Sequence, residues 1–107
     1  MHFLGEFEQM VLLAVLRLGE EAYAVPIRRE IEEQADRRVS RGALYTTLER
    51  LEAKGFLESD MAGPTSERGG RSRRYYVVSE MGKQSLEQSR TAMENLWRGV
   101  VLEESTR

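Results

Sequence analysis

Cysteine is absent from the 107 residues, which excludes both a disulfide framework and a thiolate metal site. Histidine is nearly absent: His2 is the single copy and sits at the N-terminal end. With so little nucleophile-activating chemistry, neither a Cys–His pair nor a Ser–His arrangement can be assembled. The carboxylates fall on predicted helix surfaces with no paired pocket, so no enzyme, cofactor or metal is expected. Long apolar runs are missing as well. The longest, Met10 to Leu16, has seven residues, against the roughly 20 that a membrane-spanning helix needs. Glu6 and Glu8 stand where a secretory leader would carry basic residues, so no leader and no membrane partner are expected, and the expected location is the cytoplasm.

What is present fits one globular domain. The chain is 40% hydrophobic and 32% charged, without the one-sided charge excess that keeps a chain disordered. Net charge is −2, yet it is unevenly spread. Residues 1–35 hold three basic and seven acidic side chains, residues 36–74 hold nine and six, and residues 75–107 hold four and five. The basic excess lies in the middle third, and phosphate recognition depends on such local patches more than on the total.

Periodicity supplies the elements. Phe7, Met10, Val11, Ala14, Val15 and Leu18 form one apolar stripe at helical spacing, so a first helix is predicted over about Gly5 to Leu18, with Gly19 ending it. Leu12, Leu13 and Leu16 widen the stripe. A short extended piece, Ala22–Ala24, leads to Pro26 in the first turn of a second helix that runs to about Ala35 and buries Ile27 and Ile31. Arg28, Arg29, Glu30, Glu32 and Glu33 form its exposed face. Ser40 is a good N-cap for a third helix, with Ala43, Leu44, Leu48 and Leu51 facing the core and Lys54-Gly55 as the stop. Phe56–Met61 alternates like a strand, Gly63 to Gly70 is turn-rich, and Arg73–Val78 is rich in strand formers, which together read as a β-hairpin. Ser79 caps a last helix predicted from Glu80 to about Leu102. The fold class is therefore α+β, mostly α with a small hairpin: a winged helix-turn-helix over residues 1–79 and a C-terminal dimerisation helix over 80–107.

That order carries a function. The major groove of B-DNA is about 12 Å wide and accepts one helix, usually led by its N-terminal residues. The third helix crowds Ser40, Arg41, Gly42, Tyr45 and Thr46 onto the non-core side of its first two turns. Gly42 permits close backbone approach, and the hydroxyls and guanidinium suit phosphate or base edges. The loop from Arg68 to Arg74 holds four arginines in seven residues, which could reach into a minor groove or along the backbone. On the last helix Leu86, Met93, Leu96, Trp97, Val100 and Val101 make an apolar stripe with few partners left in so small a domain. A two-fold interface with the first helix of a second copy accounts for it, and a dimer can span half-sites one turn apart. The rival reading is a winged-helix protein–protein interaction module, which would need an apolar outer surface on the third helix. Arg, Gly, Tyr and Thr there favour DNA.

Three blocks make the chain resemble the PadR family of transcriptional regulators. They are Gly42-Ala-Leu-Tyr-Thr-Thr-Leu-Glu-Arg-Leu-Glu-Ala-Lys-Gly-Phe-Leu57, the Gly-Gly-Arg-x-Arg-Arg-Tyr-Tyr stretch at 69–76, and Val78-Ser-Glu-Met-Gly82. Tyr23-Ala-Val-Pro-Ile-Arg28 is similar too, with Ala24 where the family often has glycine, and Met81 stands where alanine is common. The length resembles the short branch with a single C-terminal helix. The resemblance implies a homodimeric repressor of nearby genes, with a double-stranded DNA operator as partner. It implies DNA contacts at Tyr45, Arg71, Arg73 and Arg74. In drug-binding members of the family an aromatic on the last helix lines a pore between subunits, so Trp97 is expected as an interface anchor or as the face on which a small planar or hydrophobic effector stacks to release DNA.

Overall fold

A computed structural model of the chain describes residues 4–62 and 73–103. Helix α1 spans Glu6–Leu18 and turns through Gly19–Glu21 in a single 3-10 turn. Its inward side is Val11, Leu12, Ala14 and Val15, all buried, while Leu13 and Leu16 stay exposed. Helix α2, Ala24–Ala35, starts earlier than the sequence implied, so the expected extended piece over 22–24 is not a strand. What remains of it is one ladder-like bond, the Tyr76 N–H donating to the Ala22 carbonyl at 2.9 Å. Pro26 lies in the first turn, where its missing N–H costs nothing. Ile27 and Ile31 are buried as expected.

Asp36, in left-handed backbone at φ 51°, ends α2. A short connection follows, in which the Val39 N–H donates to the Glu32 carboxylate at 3.0 Å. Helix α3, Arg41–Ala53, is capped by Ser40, whose Oγ accepts from the Ala43 N–H at 3.1 Å. The buried stripe is Leu44, Thr47, Leu48 and Leu51. Ala43, expected inward, is exposed. The rows i, i+3, i+4 and i+7 that start at Leu44 pass through Thr47, and residue 43 falls off their edge.

Strands β1 (Leu57–Ala62) and β2 (Arg73–Val78) pair antiparallel, with Leu57 opposite Val78 and Met61 opposite Arg74. Phe56 precedes the strand and lies among the most deeply buried side chains, beside Leu12, Ile27, Leu44, Leu48 and Leu51. Helix α4, Glu80–Trp97, is shorter than the predicted span to Leu102. Arg98 leaves the helix at ψ 125° and Gly99 adopts φ +80°, a backbone that glycine takes without penalty. The β-branched pair Val100-Val101 then has little reason to resume a helix. The placement of Val100 on the helical stripe is corrected accordingly: it lies beyond the helix end and is exposed.

The start of α4 is locked to the end of α3. The Ser79 N–H donates to the Phe56 carbonyl at 3.0 Å, the Ser79 hydroxyl donates to the Gly55 carbonyl at 2.6 Å, and the Gly82 N–H donates to Ser79 Oγ at 3.0 Å. A second clamp joins α1 to α3. The Glu8 carboxylate, buried, accepts from Lys54 Nζ at 2.9 Å, from Arg50 Nε at 3.3 Å and from the Gly5 N–H at 2.9 Å. Burial alone would raise the pKa of Glu8, but the Lys54, Gly5 and Arg50 contacts outweigh it and hold it below the ordinary value. Arg50, on the outer side of α3, therefore helps to fix the angle between α1 and α3. Among the described residues, no helix is long and apolar enough to cross a membrane.

Candidate nucleic-acid interface

The leading end of α3 stands clear of the protein. Arg41, Gly42, Tyr45 and Thr46 are exposed, with Tyr45 at 47%, as is the Ser40 cap itself. A methyl group added at Gly42 would meet nothing within 4 Å, so the absence of a side chain there serves no packing need. Beside it α2 and α3 enclose a hollow of about 230 Å³ lined by Arg28, Arg29, Arg41 and Tyr45, with Val25 and Glu32. The hollow gathers three guanidinium groups on the side of α3 that bears Tyr45. Sequence reasoning left Arg28 and Arg29 on a generic charged face; the signal lay in their spacing from Ile27 and Ile31, which turns them away from the core and toward α3.

The hairpin adds two arginines that point opposite ways, as strand alternation requires. Arg74 shares the face of buried Tyr76 and Val78, and its Nη1 donates to Ser59 Oγ at 2.8 Å while Ser59 donates to the Glu52 carboxylate of α3 at 2.6 Å. Arg74 is thus drawn toward α3. Arg73 lies with its guanidinium over the Tyr23 ring, 4.4 Å from the centroid. Its pKa is raised, first by a hydrogen bond with the Tyr75 side chain and then by Tyr23. Tyr76, the inward member of the tyrosine pair, has its phenol pushed up by burial first and by Glu52 next. Arg71, the third arginine singled out in the sequence, lies outside the described residues.

The C-terminal candidates divide. Leu86 is half-buried and packs on its own core, whereas Met93, Leu96 and Trp97 are exposed, Leu96 at 73% and Trp97 at 53%. Between α1 and α4 runs an open apolar groove of about 590 Å³ whose walls include Leu13, Leu16, Leu86, Met93 and Trp97. It lies on other side chains than those of the α2–α3 hollow. Among the described residues, no cluster of three His, Cys, Asp or Glu side chains could hold a metal.

Comparison with known proteins gives this geometry a family. Residues 12–88 match the transcriptional regulator PadR-like family. A curated relative, the transcriptional regulator Rv3488 of Mycobacterium tuberculosis, is 44% identical over 64 residues, which are 60% of this chain and 56% of that protein. The matched stretch therefore spans little more than half the length of the curated relative. Among solved structures, a PadR-like transcription factor from Bacteroides fragilis superposes with a TM-score of 0.70 at 28% identity, covering 86% of this chain and 84% of that one. A PadR family transcription regulator from Clostridium difficile R20291 gives a TM-score of 0.70 over 86% and 92% of the two chains. At 21% identity that second likeness concerns the fold alone. Four helices with one two-stranded hairpin are the winged-helix fold of these proteins.

Proposed function

Since the chain belongs to the PadR-like family of transcriptional regulators, we propose that it is a homodimeric repressor that reads double-stranded DNA through the leading end of α3. The observation that carries the reading is the exposed, uncovered surface of Ser40, Arg41, Gly42, Tyr45 and Thr46 at the front of that helix. Arg74 on the hairpin face nearest α3 supplies a cation for the flanking backbone, and Arg71, three residues earlier in the sequence, is proposed as a further contact. The apolar walls of the α1–α4 groove, with Met93, Leu96 and Trp97 bare to solvent, support burial against a second copy. Leu86 contributes from the floor of that groove and Val100 from just beyond the helix end. A planar or hydrophobic effector stacking on Trp97 in that interface would shift the spacing of the two reading helices and release the operator. The protein acts in the cytoplasm, where the DNA is, and has no catalytic role.

A steric probe at Gly42 separates binding from folding. The β-carbon of a leucine there would meet nothing within 4 Å, and leucine is a better helix former than glycine by about 0.8 kcal/mol, so Gly42→Leu is expected to melt at or above the wild-type temperature. In a groove the same side chain would collide with DNA. Affinity for an operator selected from a random pool is expected to fall at least about tenfold, or about 1.4 kcal/mol, measured by fluorescence anisotropy beside a thermal melt. An unchanged affinity would remove the front of α3 from the interface and favour a protein partner for the winged helix.

A further inference from the structure

We infer that Tyr23 sets the angle of the wing by holding Arg73, which makes Arg73 a positioning residue and Arg74 the phosphate-binding one of the pair. The inference rests on the DNA-binding reading above and divides the labour within it. Tyr23 occupies the N-cap of α2 and makes no side-chain cap hydrogen bond, although Ser, Thr, Asp or Asn at that position would stabilise the helix. Its ring is engaged elsewhere. The Arg73 guanidinium lies 4.4 Å above it, and the Tyr75 ring meets it edge-on with centroids 5.4 Å apart. Next to it the Ala22 carbonyl accepts from the Tyr76 N–H at 2.9 Å. Three contacts thus tie β2, from its loop end at Arg73 to Tyr76, to residues 22 and 23.

A two-stranded hairpin is at best marginally stable alone, so its direction relative to α3 depends on the contacts that hold its strands to the rest of the domain. Strand alternation sends Arg73 to the Tyr23 side and Arg74 to the α3 side. The bond from Arg74 to Ser59 engages one of five guanidinium donors, which leaves the group equipped to meet phosphate while it is steered by Ser59 and Glu52. Arg73, stacked on the Tyr23 face, is turned from the reading surface.

The test compares Tyr23→Leu, Tyr23→Phe, Arg73→Ala and Arg74→Ala in the full chain. Two readouts apply: anisotropy titrations on a selected duplex at several salt concentrations, and amide hydrogen exchange of Tyr76 without DNA. Loss of an exposed cation–π contact corresponds to about a two- to fivefold change. Tyr23→Leu and Arg73→Ala are each expected to weaken binding by that factor with the salt slope unchanged, and to speed Tyr76 exchange by a similar factor. Tyr23→Phe keeps the aromatic face and is expected to behave as wild type. Arg74→Ala is expected to flatten the slope by about two units, the contribution of one phosphate contact from each subunit of the dimer, and to leave Tyr76 exchange alone. A flattened slope in Arg73→Ala, or unchanged Tyr76 exchange in Tyr23→Leu, would overturn the inference. Failure of the wild-type protein to bind duplex would instead sink the DNA reading, and the exchange data alone would still decide whether Tyr23 holds the wing.

Discussion

Gly82→Ala is expected to lower the melting temperature by about 4–24 °C. A β-carbon at that position would lie 2.4 Å from the Phe56 carbonyl oxygen and 2.8 Å from Val78 Cγ1. The oxygen cannot yield easily. It accepts from the Ser79 N–H, which belongs to the knot joining the end of α3 to the start of α4. Relief would require α4 to back away from the hairpin, and overpacking of that kind costs about 1–3 kcal/mol. In a domain of this size each kcal/mol corresponds to about 4–8 °C. A thermal melt by circular dichroism reads the result directly, with Gly42→Leu as the control at an open position. A Gly82→Ala protein melting within 2–3 °C of wild type (small against the per-kcal shift) would mean that the two segments are not in contact.

Leu13→Asp combined with Trp97→Asp is expected to yield a folded protein of half the native mass. Both side chains wall the α1–α4 groove and both are exposed in the single chain, so the charges cost little within one subunit. In the dimer they would be buried apolar partners replaced by unpaired carboxylates, a change strongly unfavourable to association. Sedimentation at micromolar concentration is expected to give twice 12.3 kDa for wild type and 12.3 kDa for the double variant, with helix content retained. Operator affinity is expected to fall by about two orders of magnitude, because two half-sites no longer bind as one unit. A wild-type protein that sediments as a single chain would remove the dimer, and a double variant that stays dimeric would place its interface elsewhere.

The sequence made the hairpin and the helix order readable for a physical reason. Apolar spacing at Leu44, Leu48 and Leu51, the Ser40 and Ser79 caps and the Lys54-Gly55 stop are all local signals, and each lies where it was expected. The extent of α4 was misread because an apolar stripe continues through Val100 and Val101, while the positive φ of Gly99 interrupts the helix that would carry it. The roles of Glu8 and Gly82 were illegible for the opposite reason. A buried carboxylate gripped by Lys54 and Arg50, and a glycine required by Phe56, are contacts between residues 26 to 46 positions apart, and periodicity carries no record of such distances. At the front of α3, the exposure of Tyr45 and Arg41 followed from helix position alone. The opposed orientations of Arg73 and Arg74 needed the strand and its neighbours.

The most direct test of DNA reading by α3 and the wing is the salt dependence of wild-type binding to its own promoter duplex, by anisotropy from 50 to 300 mM salt (a range of the order over which counterion release is read). With about six phosphates met by the basic residues of a dimer, tight binding at low salt and a log–log slope near −5 are expected. No binding at the lowest salt, or a slope close to zero, would contradict it.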